Sequence, residues 1–129
     1  MYGLILEERQ LDKNVFCEKL LEANPILNKE WILEVFTNAV NSNLGDGNPR
    51  GHRNLIIVME ELAELSKEIS KELRGKGDNI NMLEELADVQ LGIYFVQEIC
   101  NISDGDLYKA MNVKTSRVSE ALKEKGTFK

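Results

Sequence analysis

Residues 59–65 read MEELAEL, and residues 83–89 read LEELADV. Each copy places two carboxylates three positions apart, Glu61 with Glu64 and Glu85 with Asp88. Side chains three apart on a helix project from nearly the same side, so two such helices packed together would gather four carboxylates. Carboxylate oxygens are the ligands that Mg²⁺ prefers. The repeat therefore predicts two adjacent helices with a magnesium site between them.

Length and composition indicate an ordinary globular domain. The chain has 129 residues, of which 43% are hydrophobic and 29% are charged, which suits a folded domain with a core. The formal net charge of −6 argues against a nucleic-acid partner, because phosphate backbones attract basic surfaces. No signal peptide and no membrane partner are expected, since the apolar run near the start is short and acids follow it.

The two cysteines, Cys17 and Cys100, lie far apart, without metal-binding spacing, in apolar stretches. They are expected to be buried free thiols. Free thiols persist in a reducing compartment, so a cytoplasmic location is expected.

Hydrophobic periodicity predicts helices throughout, because no stretch alternates with the period of two that is typical of strands. The predicted helices cover about residues 11–22, 28–41, 54–73, 79–100 and 103–125. The predicted fold is an all-α helical bundle of about five helices with a four-helix-type core. The protein is expected to form an oligomer. It forms a single domain over 1–129, with its core over 50–126 and N-terminal helices of unassigned role over 1–45.

Capping residues mark several predicted helix ends. Asp78 or Asn79 is expected to cap the fourth helix. Ser103, with Asp106 three positions on, resembles a capping box for the fifth, and Gly126 is expected to end it at the C′ position.

The third helix is predicted to carry an acidic stripe beside its core stripe. At about 100° per residue, its core positions are Val58, Leu62, Leu65 and Ile69, and its acidic stripe contains Glu61, Glu64 and Glu68.

The fourth helix is apolar on both sides of its acids, which predicts a largely buried helix. Glu85 and Asp88 would then be partly removed from water, where ionised carboxylates need a partner and their repulsion raises their pKa values. A divalent cation answers both needs. Gly92, one turn beyond Asp88, is expected to leave room for an approaching group.

A solvated helix surface is the alternative explanation for the acids. Glutamate is a good helix former, and a single Glu-x-x-Glu pair is usually surface. Two copies on consecutive helices, one of them apolar on both sides, favour the metal site.

The acidic pattern, together with its flanking residues, resembles the MazG-like superfamily of all-α nucleoside triphosphate pyrophosphohydrolases. The similarity includes Arg53-Asn54-Leu55 before the first acidic segment, Glu-Leu-Ala-Asp-Val at 85–89, and Asn112-Val113-Lys114-Thr115-Ser116-Arg117-Val118. It covers about residues 50–126 and leaves the first two predicted helices unmatched.

The resemblance implies an enzyme that releases pyrophosphate from nucleoside triphosphates. In such enzymes the motif acids bind Mg²⁺, and here these would be Glu61, Glu64, Glu85 and Asp88. Water would attack the α-phosphorus of a (deoxy)nucleoside triphosphate substrate to give the monophosphate and pyrophosphate. The resemblance also implies a homodimer or homotetramer with sites where subunits meet.

Other polar residues are weaker site candidates. Glu60 and Glu84 each precede a motif acid and are either a general base, support for the ligands, or solvated. Lys114 and Arg117 lie three apart and are predicted to bind phosphate, chiefly from their position in the resemblance.

His52 and Trp31 are further candidates for substrate contacts. His52 is expected either to contact the substrate or to have no role. Trp31 is expected to be core rather than a base-stacking residue.

The sequence thus predicts Mg²⁺-dependent NTP pyrophosphohydrolysis. A non-enzymatic helical interaction module and a nucleotide-binding but inactive relative remain alternatives. The chain has no Gly-x-x-x-x-Gly-Lys loop and no Glu-x-x-His; the first absence excludes an ordinary P-loop NTPase, and the second argues against a di-iron carboxylate bundle.

Overall fold

A computed structural model of the chain describes residues 13–41 and 52–126, and it confirms the all-α prediction for them. The helices there are α1 (Lys13–Glu22), α2 (Lys29–Asn41), α3 (His52–Leu73), α4 (Asn79–Cys100) and α5 (Asp104–Glu124). These two ranges contain no strand. Within the same ranges, no helix is long and apolar enough to cross a membrane.

The chain divides into two compact units, Met1–Val96 and Gln97–Lys129. In the described residues, the first unit holds α1 to α3 and most of α4, and the second holds the end of α4 and α5. The predicted core over 50–126 and N-terminal helices over 1–45 stay predictions.

Asp78 is the residue that caps α4. Its Oδ1 accepts hydrogen bonds from the backbone N–H groups of Ile80 at 2.8 Å and Asn81 at 3.2 Å. These are two of the amides that a helix start leaves without an intrahelical acceptor. The Lys13 ammonium donates to the same carboxylate, through Oδ2, and thereby ties α1 to the start of α4.

The predicted ends of α5 are also confirmed. The Ser103 hydroxyl accepts from the backbone N–H of Asp106 at 3.1 Å. At the other end Gly126 has a φ of +71°, a left-handed conformation that glycine adopts without a Cβ clash.

Stacked aromatic rings join α2 to α4 in the first unit. Phe36 and Phe95 are buried, and their ring centroids lie 4.3 Å apart. Tyr94 lies next to them, 6.3 Å from Phe36. Trp31, however, is 62% exposed, so its predicted place in the core is wrong. It precedes Phe36 by five positions, which turns it roughly 140° away from the aromatic contact.

At Gly92, α4 packs closely against α3. A Cβ at position 92 would lie 3.2 Å from Cγ1 and 3.3 Å from Cγ2 of Val58. The group that approaches Gly92 is therefore the side chain of Val58 on the neighbouring helix. The missing side chain at position 92 lets the two helix backbones pack closely.

The side of α3 that is covered differs from the predicted core stripe. Leu62 is 49% exposed and Ile69 is 47% exposed, whereas Glu68 is only 6% exposed. Ile57 and Val58 are buried. The covered side is thus rotated toward the acidic stripe, because α4 approaches α3 along its acids.

Both cysteines are free, as predicted, but only one is partly buried. Cys17 is half-buried and Cys100 is exposed. Cys100 is the last residue of α4, and the next residue, Asn101, turns the chain with a φ of +59°. The predicted burial of Cys100 is therefore wrong.

A double-mutant cycle measures the contact between Gly92 and Val58. In a Val58→Ala background, Gly92→Ala should stabilise the protein by up to about 1 kcal/mol, because alanine is the better helix former. With Val58 present, the gain should shrink or become a loss, since the valine methyl groups must give way. Urea unfolding of the four proteins tests this, and an equal effect in both backgrounds would contradict the packing.

Candidate metal centre

Three carboxylates meet between α3 and α4. Glu61 projects from α3, and Glu85 and Asp88 project from α4. Each residue offers one carboxylate oxygen, and these three oxygens all lie within 4.8 Å of one another. All three residues are half-buried. The structure therefore brings together three of the four acids that the repeated motif predicted as metal ligands.

Local packing explains why these acids meet. The close contact between Val58 and Gly92 lies three residues before Glu61 on α3 and four residues after Asp88 on α4. One helical turn from a close contact, side chains on the facing sides remain within reach of each other. Apolar packing thus holds the carboxylates together against their repulsion.

Burial and mutual repulsion raise the pKa values of two of these acids. The pKa of Glu61 is raised from 4.5 to about 7, first by burial and then by the charges of Asp88 and Glu85. A hydrogen bond with Asp88 and the charge of Glu64 act in the same direction. Burial, followed by the charge of Asp88, raises the pKa of Glu85 to about 7. Near neutral pH the cluster therefore needs a positive partner, either protons or a cation.

Glu64, the fourth predicted ligand, is exposed and is not one of the three clustered carboxylates. Its charge nevertheless contributes to the raised pKa values of both Glu61 and Glu85. Glu64 therefore acts on the cluster through its charge, and its role as a ligand stays a prediction.

Glu60 and Glu84 also lie outside the three clustered carboxylates. Glu60 is exposed and Glu84 is half-buried. The charge of Glu84 contributes to the raised pKa of Glu85. Their predicted roles as general base or ligand support stay predictions.

The predicted phosphate-binding residues lie elsewhere in the chain. Lys114 and Arg117 are exposed on α5, in the second unit. His52 is the first residue of α3, and its side chain lies outside the described part of the structure. Substrate contacts by all three stay predictions.

Glu68 is a buried acid to which the sequence assigned no role. It is 6% exposed, and its Oε2 lies 3.2 Å from the Lys71 ammonium. Its Oε1 is buried without a hydrogen-bond partner, and so is Oε1 of Glu85. Its place beside the cluster could be predicted from the sequence, because Glu68 follows Glu61 by seven positions and lies on the same side of the helix.

The donor set suits a hard divalent cation. Among the described residues it consists of carboxylate oxygens from two helices, without sulfur or imidazole. Such ligands favour Mg²⁺, Ca²⁺ or Mn²⁺. A buried carboxylate oxygen without a donor is costly, and a bound cation would remove that cost. The residues therefore fit the metal that the motif predicts.

Comparison of the chain with models of known protein families, with curated proteins and with solved structures finds no match. The resemblance to MazG-like enzymes accordingly rests on the sequence motif.

The raised pKa values predict how the metal-free protein responds to pH. For Glu61 and Glu85 the folded state favours the protonated form, so their contribution to stability is complete below pH 4.5 and is lost as the pH rises through about 7. In EDTA, the urea midpoint should therefore fall between about pH 5 and about pH 8.5. Asp78 and Lys13, which are further described residues with shifted pKa values, titrate outside this window, because the pKa of Asp78 is lowered from 3.8 and that of Lys13 is raised from 10.5.

The matched control is the double variant Glu61→Gln, Glu85→Gln, which should flatten this dependence. Saturating Mg²⁺ should also oppose the loss in the wild type, since a cation that binds only the native state stabilises it. A wild-type midpoint that rises across the window in EDTA would contradict the assignment of these two groups.

Proposed function

We propose that this protein hydrolyses nucleoside or deoxynucleoside triphosphates to nucleoside monophosphates and pyrophosphate in a magnesium-dependent reaction. The observation that carries the proposal is the cluster of Glu61, Glu85 and Asp88, assembled from both copies of the repeated motif. The sequence resemblance supplies the substrate class and the bond that is broken.

The cluster supports this activity for an electrostatic reason. A triphosphate brings about four negative charges, and a site lined by carboxylates repels it unless cations intervene. Bound Mg²⁺ would supply charge neutralisation for the phosphates and a more acidic bound water.

The chain's own contribution is to hold the ion at a defined place. Glu61, Glu85 and Asp88 would be direct ligands, and exposed Glu64 would complete the set from the border of the cluster. Lys114, Arg117 and His52 are proposed substrate contacts on the strength of the resemblance, with arginine suited to bidentate binding of phosphate oxygens.

We also propose that the protein works as a homodimer or homotetramer. The support is an apolar stripe on α3 that the described residues leave uncovered. It contains Leu62, Ile69 and Leu73, which fall within roughly 40° of one another around the helix. On α4, Leu83 and Leu86 are exposed as well. Apolar surface of this kind is typical of a subunit interface.

Replacement of one ligand tests the enzymatic proposal. Asp88→Asn should reduce Mg²⁺-dependent release of pyrophosphate from a panel of NTPs and dNTPs by at least about 100-fold, because even groups that only support metal ligands are worth 10–100-fold. Glu61→Gln should behave in the same way. The matched control is Glu72→Gln, which changes an exposed carboxylate on α3, the helix that carries Glu61. This variant should keep full activity.

Circular dichroism must show that each variant is helical before its activity is compared. Folded wild-type protein that releases no pyrophosphate from any nucleotide would contradict the proposed activity. Nucleotide binding without turnover, measured by calorimetry, would indicate an inactive relative. If neither Mg²⁺ nor nucleotide raised the unfolding temperature, a helical interaction module would be the better explanation.

The oligomer is tested by charging the apolar stripe. Light scattering should give the wild type a mass at least twice the 14.7 kDa of one chain. Leu62→Glu with Ile69→Glu should shift that mass toward 14.7 kDa, because buried unpaired charges oppose association. Lys67→Glu changes the charge by the same amount from a different side of α3 and should leave the mass unchanged. A monomeric wild type would refute the proposal.

A further inference from the structure

Glu68 and Glu85 present two buried oxygens that lack donors. In each residue the atom is Oε1, and it is shielded from water without a hydrogen-bond partner. Glu68 is the more buried of the two, with 8% of its side chain exposed. An ionised carboxylate oxygen in such a position calls for a donor or a cation.

The order of side chains along the helices places Glu68 on one side of the three-acid cluster. A connection of only five residues, 74–78, makes α3 and α4 antiparallel neighbours. Measured from the Val58–Gly92 contact at about 1.5 Å per residue, Glu85 lies roughly 10 Å along α4 and Glu68 roughly 15 Å along α3. Glu68 thus lies beyond Glu85 in the direction away from the contact.

Glu61 and Asp88 lie on the other side of Glu85. By the same measure they are roughly 5 Å and 6 Å from the helix contact. The electrostatic neighbours agree with this order, because the charge of Glu68 is among those that raise the pKa of Glu85. Glu85 therefore stands between Glu68 and the other two acids.

Lys71 does not satisfy the free oxygen of Glu68. Its ammonium lies 3.2 Å from Oε2, on a half-buried side chain at the protein surface. Oε1 remains without a donor, so one carboxylate carries a lysine on one oxygen and an open position on the other.

We propose that Glu68 is a further metal ligand, whose Oε1 joins Oε1 of Glu85 in holding a second divalent cation beside the one held by Glu61, Glu85 and Asp88. Glu85 then bridges two ions. A two-ion centre suits phosphoryl chemistry, because two cations can bind both the attacking and the leaving oxygens. This inference rests on the proposed metal centre, but it does not depend on which nucleotide is hydrolysed.

Manganese binding tests the second position directly. Electron paramagnetic resonance titration of the wild type with Mn²⁺ should give two bound ions per chain. Spin–spin broadening between them should correspond to a separation of about 3.5–4 Å. Glu68→Gln, which keeps the side-chain shape, should bind one ion and lose the broadening. Glu72→Gln, the exposed carboxylate one turn further along α3, should keep both.

A second variant leaves the ligand in place. Lys71→Met removes a neighbouring positive charge and should tighten the weaker Mn²⁺ site several-fold, even if Glu68→Gln does not fold. One ion per wild-type chain, without broadening, would overturn the second position and leave the proposed function standing. Unchanged binding of two ions by folded Glu68→Gln would overturn the role of Glu68. Wild-type protein that binds no Mn²⁺ would overturn both this inference and the proposed metal centre.

Discussion

The acidic cluster depends on the close packing of Val58 against Gly92. Three carboxylates whose oxygens lie within 4.8 Å repel one another when ionised, so contacts outside the cluster must hold the helices together. The position without a side chain lets α3 approach α4 one turn away from the acids. Hydrophobic packing at one level of the helix pair thus opposes electrostatic repulsion at the next. A functional site commonly carries such a conflict, compensated by the surrounding structure.

Because these carboxylates repel one another, protons and cations compete for the same carboxylate oxygens. Burial and neighbouring charge raise the pKa values of Glu61 and Glu85 to about 7, so near neutral pH the metal-free cluster holds protons part of the time. A divalent cation must displace those protons, which couples metal affinity to pH. Glu68 differs from these acids, because Lys71 already neutralises part of its charge.

Much of the fold and part of the site followed from sequence patterns that act locally. The capping role of Asp78, the capping hydroxyl of Ser103 and the glycine after α5 depend on the chain within a few residues, and the structure confirms them. The three clustered acids were predictable for a similar reason. Each helix places its own carboxylates on one side by periodicity, and the repeat indicated which two helices would meet.

The orientation of each helix depends on contacts between helices, which a single sequence does not reveal. Periodicity fixes which residues share a side of α3, but it does not say which side faces α4 when an acidic and an apolar stripe lie next to each other. Trp31 shows the same limit, because the stacking of Phe36 on Phe95 sets the orientation of α2. Glu68 shares the acidic stripe of α3, but it lies outside the repeated spacing of three residues, so the sequence assigned it no role as a ligand.

The exposed apolar stripe and the buried acids of α3 are two consequences of one orientation. If α3 turned Leu62 and Ile69 inward, Glu61 and Glu68 would rotate toward water, and the acids on α4 would lose their partner across the helix pair. With the acids inward, the apolar side chains are left at the surface, where 49% of Leu62 and 47% of Ile69 are exposed. Association of subunits through that stripe would let one helix meet both demands. On this argument, a second chain would stabilise the orientation of α3 on which the acidic cluster depends.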